Sequence, residues 1–268
     1  MPRPATGLTA IFAALLILTL GGILLHQLTG YHYPASEAAF YELNVIGDLY
    51  EAFILVPTGL AGLWALRRGS PWGPILVGGV ASTLAYNYAL VATGQQNLWI
   101  FLWILKLSLG GLSVILTWGL LPLGSPGPSR SRWVLTGYFT VMVALFSALM
   151  AARLWASAHG QAMEMTMQVR GPVDWAEPFV RDPIIFLVFA APLFIAAALG
   201  LWLRAGWGAR ATALASTFIV NMVIMILMTG PVRELLQLGS LSPGMLPISL
   251  LFGLFAAPAV RALFWLTR

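Results

Sequence analysis

Long apolar stretches alternate with short polar breaks along the whole chain. Eight of these stretches are long enough to cross the hydrocarbon core of a membrane as a helix, which takes about 20 residues. They cover residues 7–27, 43–66, 72–92, 98–121, 133–155, 183–203, 207–229 and 245–265. Transmembrane strands would show alternating polarity in short segments, and that pattern is absent. The sequence therefore predicts an all-α, polytopic membrane bundle of eight transmembrane helices.

One polar pattern occurs twice. The segments 48–87 and 182–221 each begin with Asp, carry a Pro early, then Trp-Gly, and end on Ala-Ser-Thr, three residues and Asn. They start 134 positions apart in a chain of 268 residues, with a one-residue slip between the prolines. This repeat predicts two four-helix halves, 1–122 and 133–268, joined by a Pro/Gly/Ser-rich cytoplasmic linker at 123–132. Four helices per half give the halves parallel topology, which is typical of transporter-like or ligand-holding bundles.

Composition supports the membrane class and narrows the chemistry. The chain is 59% hydrophobic and 9% charged, and it contains no cysteine, which excludes disulfides, thiol catalysis and cysteine-bound metals. The net charge of +5 comes from arginines spread over the loops, which indicates contact with anionic lipid and argues against nucleic acid as a partner. No established catalytic motif is found, which favours a protein that is not an enzyme, and no cofactor is predicted.

The distribution of arginine predicts the orientation. With eight spans both ends of the chain lie on one side, which then carries most of the arginines: Arg3, Arg67, Arg68, Arg130, Arg132, Arg204, Arg210, Arg261 and Arg268. Positively charged loops stay inside. The sequence therefore predicts a multi-pass protein of a bacterial cytoplasmic membrane with both termini cytoplasmic.

Charged residues inside the apolar stretches mark a candidate site. Asp48 and Glu51 are three residues apart on one helix face, which Asn44 extends, and Asn87 and Lys106 follow on the next two helices. At about 1.5 Å per residue, Glu51, Asn87 and Lys106 lie about 8–12 Å below the outer surface. Each charge facing lipid would cost about 2.5–3.5 kcal/mol, so these side chains must pair, line a wet cavity or lose their charge. Lys106, the only lysine, is expected within reach of Asp48 or Glu51.

These residues predict transport of a small solute or ion, linked to protons, through a polar site open to the outside. Two acids and one lysine leave one carboxylate in excess, which suits proton or cation exchange. The predicted ligand- or ion-binding residues are Asp48, Glu51, Asn87, Lys106, Asn44, Tyr86 and Asn221. Two alternatives stay open. One is a non-catalytic scaffold or sensor with a structural buried ion pair, and the other is a membrane enzyme that uses the excess carboxylate as a base on lipid.

Methionine and histidine add a further alternative, which is Cu(I) handling, because thioethers are soft ligands that select Cu(I). Its candidate ligands are in one polar loop: His159, Met163, Met165 and Met167. Methionine is also a common filler of helix packing, so no metal is assigned. His26 and His32, near the end of the first apolar stretch, are predicted to be interfacial.

The run from Tyr86 to Ala89, with the arginine stop at Arg67 and Arg68, resembles a group of uncharacterised bacterial multi-span membrane proteins. The resemblance extends over the second to fourth predicted spans. It implies a membrane location and no particular activity.

Overall fold

The computed structural model describes residues 3–29, 41–94, 100–121, 129–158, 184–240 and 245–267, and within those ranges the chain forms helices and no strands. The α-helices are α1 Arg3–Thr29, α2 Tyr41–Tyr50, α3 Val56–Arg67, α4 Trp72–Gly94, α5 Ile100–Leu120, α6 Ser129–Ala158, α7 Ala191–Trp202, α8 Gly206–Leu238 and α9 Met245–Leu266. Two π-helical turns, π1 Glu51–Leu55 and π2 Phe186–Ala190, precede α3 and α7. The predicted all-α class is confirmed for these residues.

Seven of the helical stretches are long and apolar enough to cross a membrane. They are Ala5–Thr29, Val45–Arg67, Trp72–Ala92, Ile100–Leu120, Arg130–Ala152, Gly206–Met228 and Ser249–Leu266. The stretch predicted as the sixth span appears as a shorter apolar helix, Phe186–Trp202. The fold is therefore compatible with a multi-pass integral membrane protein.

Helices α4 and α8 lie at the centre of the bundle. Their apolar windows are the most buried of the seven, at 72% and 61%. Glycines allow their close approach, because a Cβ added at Gly79 would lie 2.4 Å from Thr217 Cβ, and one at Gly78 would lie 2.6 Å from Leu214 Cδ2. Small residues at such contacts are typical of helix packing in membranes.

Each π-helical turn directly precedes a helix that begins next to a proline. In π1 the Val56 amide donates to the Glu51 carbonyl, and in π2 the Ala191 amide donates to the Phe186 carbonyl. Proline has no amide hydrogen, and its ring clashes with a carbonyl of the preceding turn. One wider turn accommodates that clash, so α2 and α3 form a single span that is interrupted at Glu51.

The turns that follow α3 and α7 also share one geometry. Gly69 has φ 69° in the first turn and Arg204 has φ 56° in the second, a conformation that is uncommon for a residue other than glycine. In each turn the amide of the next residue donates over 3.0 Å to a carbonyl five positions earlier, that of Ala65 or Gly200. Each of these features recurs after 135 residues, as do the two π-helical turns.

Candidate functional site

A polar stripe runs along α1, an otherwise apolar helix. Thr19, Gly22 and His26 are spaced three and four residues apart, which places them on one helix face. All three are buried. This face contacts α2, α4 and α5, and the residues that it meets there include the predicted charged residues. The stripe was not among the predicted site residues, although the spacing of Thr19, Gly22 and His26 is the signal that indicates it.

Asp48 is paired with a histidine. His26 Nδ1 is hydrogen-bonded to Asp48 Oδ2, and Gln27 Nε2 donates to the same oxygen over 3.1 Å. His26 and Asp48 are each only 2% exposed. His26 was predicted to be interfacial, and its imidazole turns into the bundle, where it meets a buried carboxylate, a contact that the sequence did not indicate. The charged cluster of Asp48, Glu51, Lys106 and His26 thus contains two basic side chains for its two acidic ones.

Glu51 is the first residue of π1 and accepts hydrogen bonds from α4. Tyr88 Oη donates to Glu51 Oε2 over 3.2 Å, and Asn87 Nδ2 donates to Oε1 over 3.5 Å. Tyr88 Oη also lies 2.6 Å from Thr19 Oγ1. When Thr19 donates to Tyr88 and Tyr88 donates to Glu51, the three groups form one hydrogen-bonded chain that ends on the carboxylate.

Lys106 on α5 is 1% exposed, and its ammonium packs against aromatic rings. Nζ lies 4.2 Å from the centroid of the Trp103 ring and 4.8 Å from that of the Tyr88 ring. The expected ion pair with Asp48 or Glu51 is not formed within 4.0 Å, although both carboxylates interact with the ammonium through space. Cation–π contacts therefore hold Lys106 in place of a direct salt bridge.

Gly22 provides the space for that ammonium. A Cβ added at Gly22 would lie 2.3 Å from Lys106 Nζ and 3.2 Å from Cε. Gly22→Ala should therefore move the lysine off its aromatic contacts and lower the free energy of unfolding by about 1 kcal/mol, the low end of overpacking costs, because the end of a flexible side chain can shift. The measurement is reversible unfolding in mixed detergent micelles.

Gly21→Ala is the matched control, because an added Cβ there meets nothing within 4 Å. It should be neutral or stabilising by about 0.5–1 kcal/mol, since alanine favours a helix over glycine. Equal effects of the two alanines would contradict the contact between Gly22 and Lys106.

Two other predicted site residues lie outside this cluster. The Tyr86 ring packs edge-to-face on Phe218, with centroids 5.4 Å apart, in the apolar core formed largely by the second half. Asn221 Nδ2 donates to Thr83 Oγ1 over 3.1 Å, and the Asn221 carbonyl accepts from Tyr50 Oη over 2.7 Å. Asn221 therefore joins α2, α4 and α8 without contacting the charged groups.

Several predicted residues cannot be compared with the structure. The Asn44 side chain and the loop residues His159, Met163, Met165 and Met167 lie outside the described residues. In the part of the chain that the structure does describe, no group of three or more His, Cys, Asp or Glu side chains could hold a metal ion. Cu(I) handling stays a prediction.

Fold and site together define a class: a helical bundle compatible with a multi-pass membrane protein, with a buried charged cluster made by α1, α2, π1, α4 and α5. Comparison with family models, curated proteins and solved structures finds no match to this chain.

Proposed function

We propose that this protein transports a small solute or ion, linked to proton movement, across a bacterial cytoplasmic membrane. The transport site is the cluster around Asp48, Glu51, Asn87 and Lys106, open to the outside. Ionisable groups inside membrane helices are expensive, and they commonly mark substrate or proton pathways. Membrane lipid surrounds the bundle in this proposal, and both termini are cytoplasmic.

The observation that carries the proposal is the arrangement of Lys106 and Glu51. Both lie in one site, yet no ion pair joins them within 4.0 Å. A lysine and a carboxylate that served only to fix helix packing would gain most by direct contact, because each isolated charge in the membrane costs about 2.5–3.5 kcal/mol. Opposite charges that lie in one site without forming a direct ion pair suit a site that exchanges a proton or binds a ligand.

Each residue then has a role. Glu51 exchanges the proton, and the chain through Tyr88 and Thr19 holds or relays it. Lys106 sets the charge state of the carboxylates through space. Asn87 orients the ligand beside Glu51. The wider turn at Glu51 supports this assignment, since π-helical turns inside α-helices are frequent at functional sites.

The proposal includes an internal duplication, with 1–122 and 133–268 as parallel four-helix halves related by an axis along the membrane normal. It is supported by the two π-helical turns, their prolines and the two matched hairpin turns, all 135 residues apart. The central contact between α4 and α8 would then lie on the axis. Transporters built from repeats place their sites at discontinuous helices.

One observation favours a second candidate, a non-catalytic scaffold or sensor. His26 and Asp48 form a buried hydrogen-bonded pair, and such pairs can be retained for structural reasons. In a scaffold the whole cluster would be static and would conduct no protons.

Proton movement through Glu51 distinguishes the two candidates. In proteoliposomes with a trapped pH-sensitive dye and an imposed membrane potential, the wild-type protein should carry protons faster than empty vesicles do. Glu51→Gln keeps the size of the side chain and removes its charge, so it should return the rate to that of empty vesicles. Glu234→Gln, the same change on α8, should behave as wild type. A wild-type rate equal to that of empty vesicles would favour the scaffold.

A further inference from the structure

The Lys106 ammonium, which is the positive end of the cluster, has hydrogen-bond donors that the described residues do not use. The Lys106 ammonium has three donors. Among the described residues it makes no ion pair and no hydrogen bond, although it is 1% exposed. The faces of Trp103 and Tyr88 stabilise its charge without supplying an oxygen acceptor. A buried ammonium of this kind suits an anionic oxygen supplied by a ligand, because unmet buried donors are costly.

The negative end of the cluster has spare acceptors. A carboxylate offers about four lone-pair positions, and the described residues donate two hydrogen bonds to Glu51, over 3.2 and 3.5 Å. Asn87 donates one of these through its amide nitrogen, and its oxygen accepts no hydrogen bond from the described residues. Glu51 and Asn87 Oδ1 together therefore suit a group that carries several N–H donors.

Charge balance restricts what can bind between these two ends. Glu51 and Asp48 both interact with the Lys106 ammonium through space, and Asp48 is hydrogen-bonded to His26. Among the described residues, Lys106 and Glu51 are then the groups of opposite charge in the cluster that have no oppositely charged partner within 4.0 Å. A ligand with a net charge would add an uncompensated charge to a membrane site, at about 2.5–3.5 kcal/mol. A ligand with one positive and one negative group leaves the balance unchanged.

We infer that this site binds a small zwitterion of the α-amino acid class. The ligand carboxylate would accept from Lys106 Nζ, and its primary ammonium would donate to Glu51 and to Asn87 Oδ1. This inference rests on the proposed function and names its substrate class.

The geometry also selects the type of ammonium. Quaternary ammonium groups have no N–H to donate, and proteins bind them on aromatic faces. The Trp103 and Tyr88 faces beside the cluster are already in contact with Lys106. The site therefore favours a primary amine over its trimethylated form.

The test uses the full-length protein in detergent. Each neutral standard α-amino acid is added separately, and the melting temperature is measured. At least one should raise the melting temperature, because a ligand that binds only the folded state stabilises it. Propionate, which lacks the amine, ethylamine, which lacks the carboxylate, and trimethylglycine should produce no rise. A panel without any stabilising amino acid, or equal stabilisation by propionate or ethylamine, would overturn the inference.

Variants then locate the binding. For the amino acid that stabilises most, equilibrium binding should weaken at least about tenfold in Lys106→Met and in Glu51→Gln, which corresponds to about 1.4 kcal/mol for each lost charged contact. Glu234→Gln is the control and should bind as wild type. Unchanged affinity in both cluster variants would place the ligand elsewhere and refute the assignment.

The two proposals fail separately. If Glu51-dependent proton movement is observed while no amino acid binds, the substrate class is wrong and proton-linked transport stands. If an amino acid binds through Lys106 and Glu51 while the vesicles show no proton movement, the binding site stands and proton-linked transport is wrong.

Discussion

Lys106→Met should abolish the proton movement carried by the wild-type protein and lower its free energy of unfolding by about 3 kcal/mol. Methionine keeps an apolar side chain of similar length and removes the ammonium that lies over the Trp103 and Tyr88 rings. Most of the loss comes from Glu51, whose carboxylate would no longer have the ammonium in its site, and a smaller part comes from the two cation–π contacts. The first measurement is the vesicle assay, and the second is reversible unfolding in mixed detergent micelles.

A double variant separates electrostatics from packing. Lys106→Met combined with Glu51→Gln removes both charges, so it should recover most of the stability that the single lysine change loses. It should not recover proton movement, because the exchanging carboxylate is gone. If the two changes lower stability additively, the charges do not interact and the contribution of Lys106 is packing alone.

Gly208→Ala should destabilise the protein by at least about 2–3 kcal/mol. A Cβ at Gly208 would lie 2.4 Å from the backbone carbon of Gly200, and a backbone atom cannot move aside as a side chain can. Gly73 has the same position after α3, where a Cβ would lie 2.4 Å from the Leu66 nitrogen. Gly73→Ala is therefore expected to have a similar effect, measured in the same unfolding assay.

Gly253→Ala is the control for this pair, since a Cβ there meets nothing within 4 Å. It should be neutral or slightly stabilising. If Gly208→Ala or Gly73→Ala lowers the free energy of unfolding no more than Gly253→Ala does, the helices on either side of that turn can separate to accept a methyl group. This outcome would contradict their close backbone packing.

The helical class and the positions of seven long apolar helices followed from the sequence, because both are properties of local composition. An apolar stretch of about 20 residues satisfies its backbone hydrogen bonds in lipid only as a helix. Pro57 and Pro192, which stand at matching places after a one-residue slip, were part of the predicted repeat, and each removes a backbone donor from its helix. The wider turns before them were not predicted, because the chain can relieve a proline clash in several ways.

The charged residues of the cluster were also identified from the sequence. Asp48, Glu51 and Lys106 stand in apolar surroundings, where a charge is expensive regardless of the fold. That free-energy cost must be offset, but its size does not tell which side chain, cavity or protonation change offsets it. The sequence therefore predicted that these side chains would pair, line a wet cavity or lose their charge, with Lys106 near Asp48 or Glu51. It did not predict that the ammonium packs on the Trp103 and Tyr88 rings.

Only the tertiary structure decided the partners, because they depend on which faces of separate helices meet. His26 lies three residues from the end of α1, where an interfacial position was equally compatible with the sequence. Helix packing turns the face of His26 toward Asp48, while Gly22 on the same face leaves room for the Lys106 ammonium. A glycine has no side chain to suggest that role, and its neighbour is more than 80 residues away in the chain. The local sequence determines the length of each helix and the free-energy cost of its charged residues. The packing of the helices determines which side chains those residues contact.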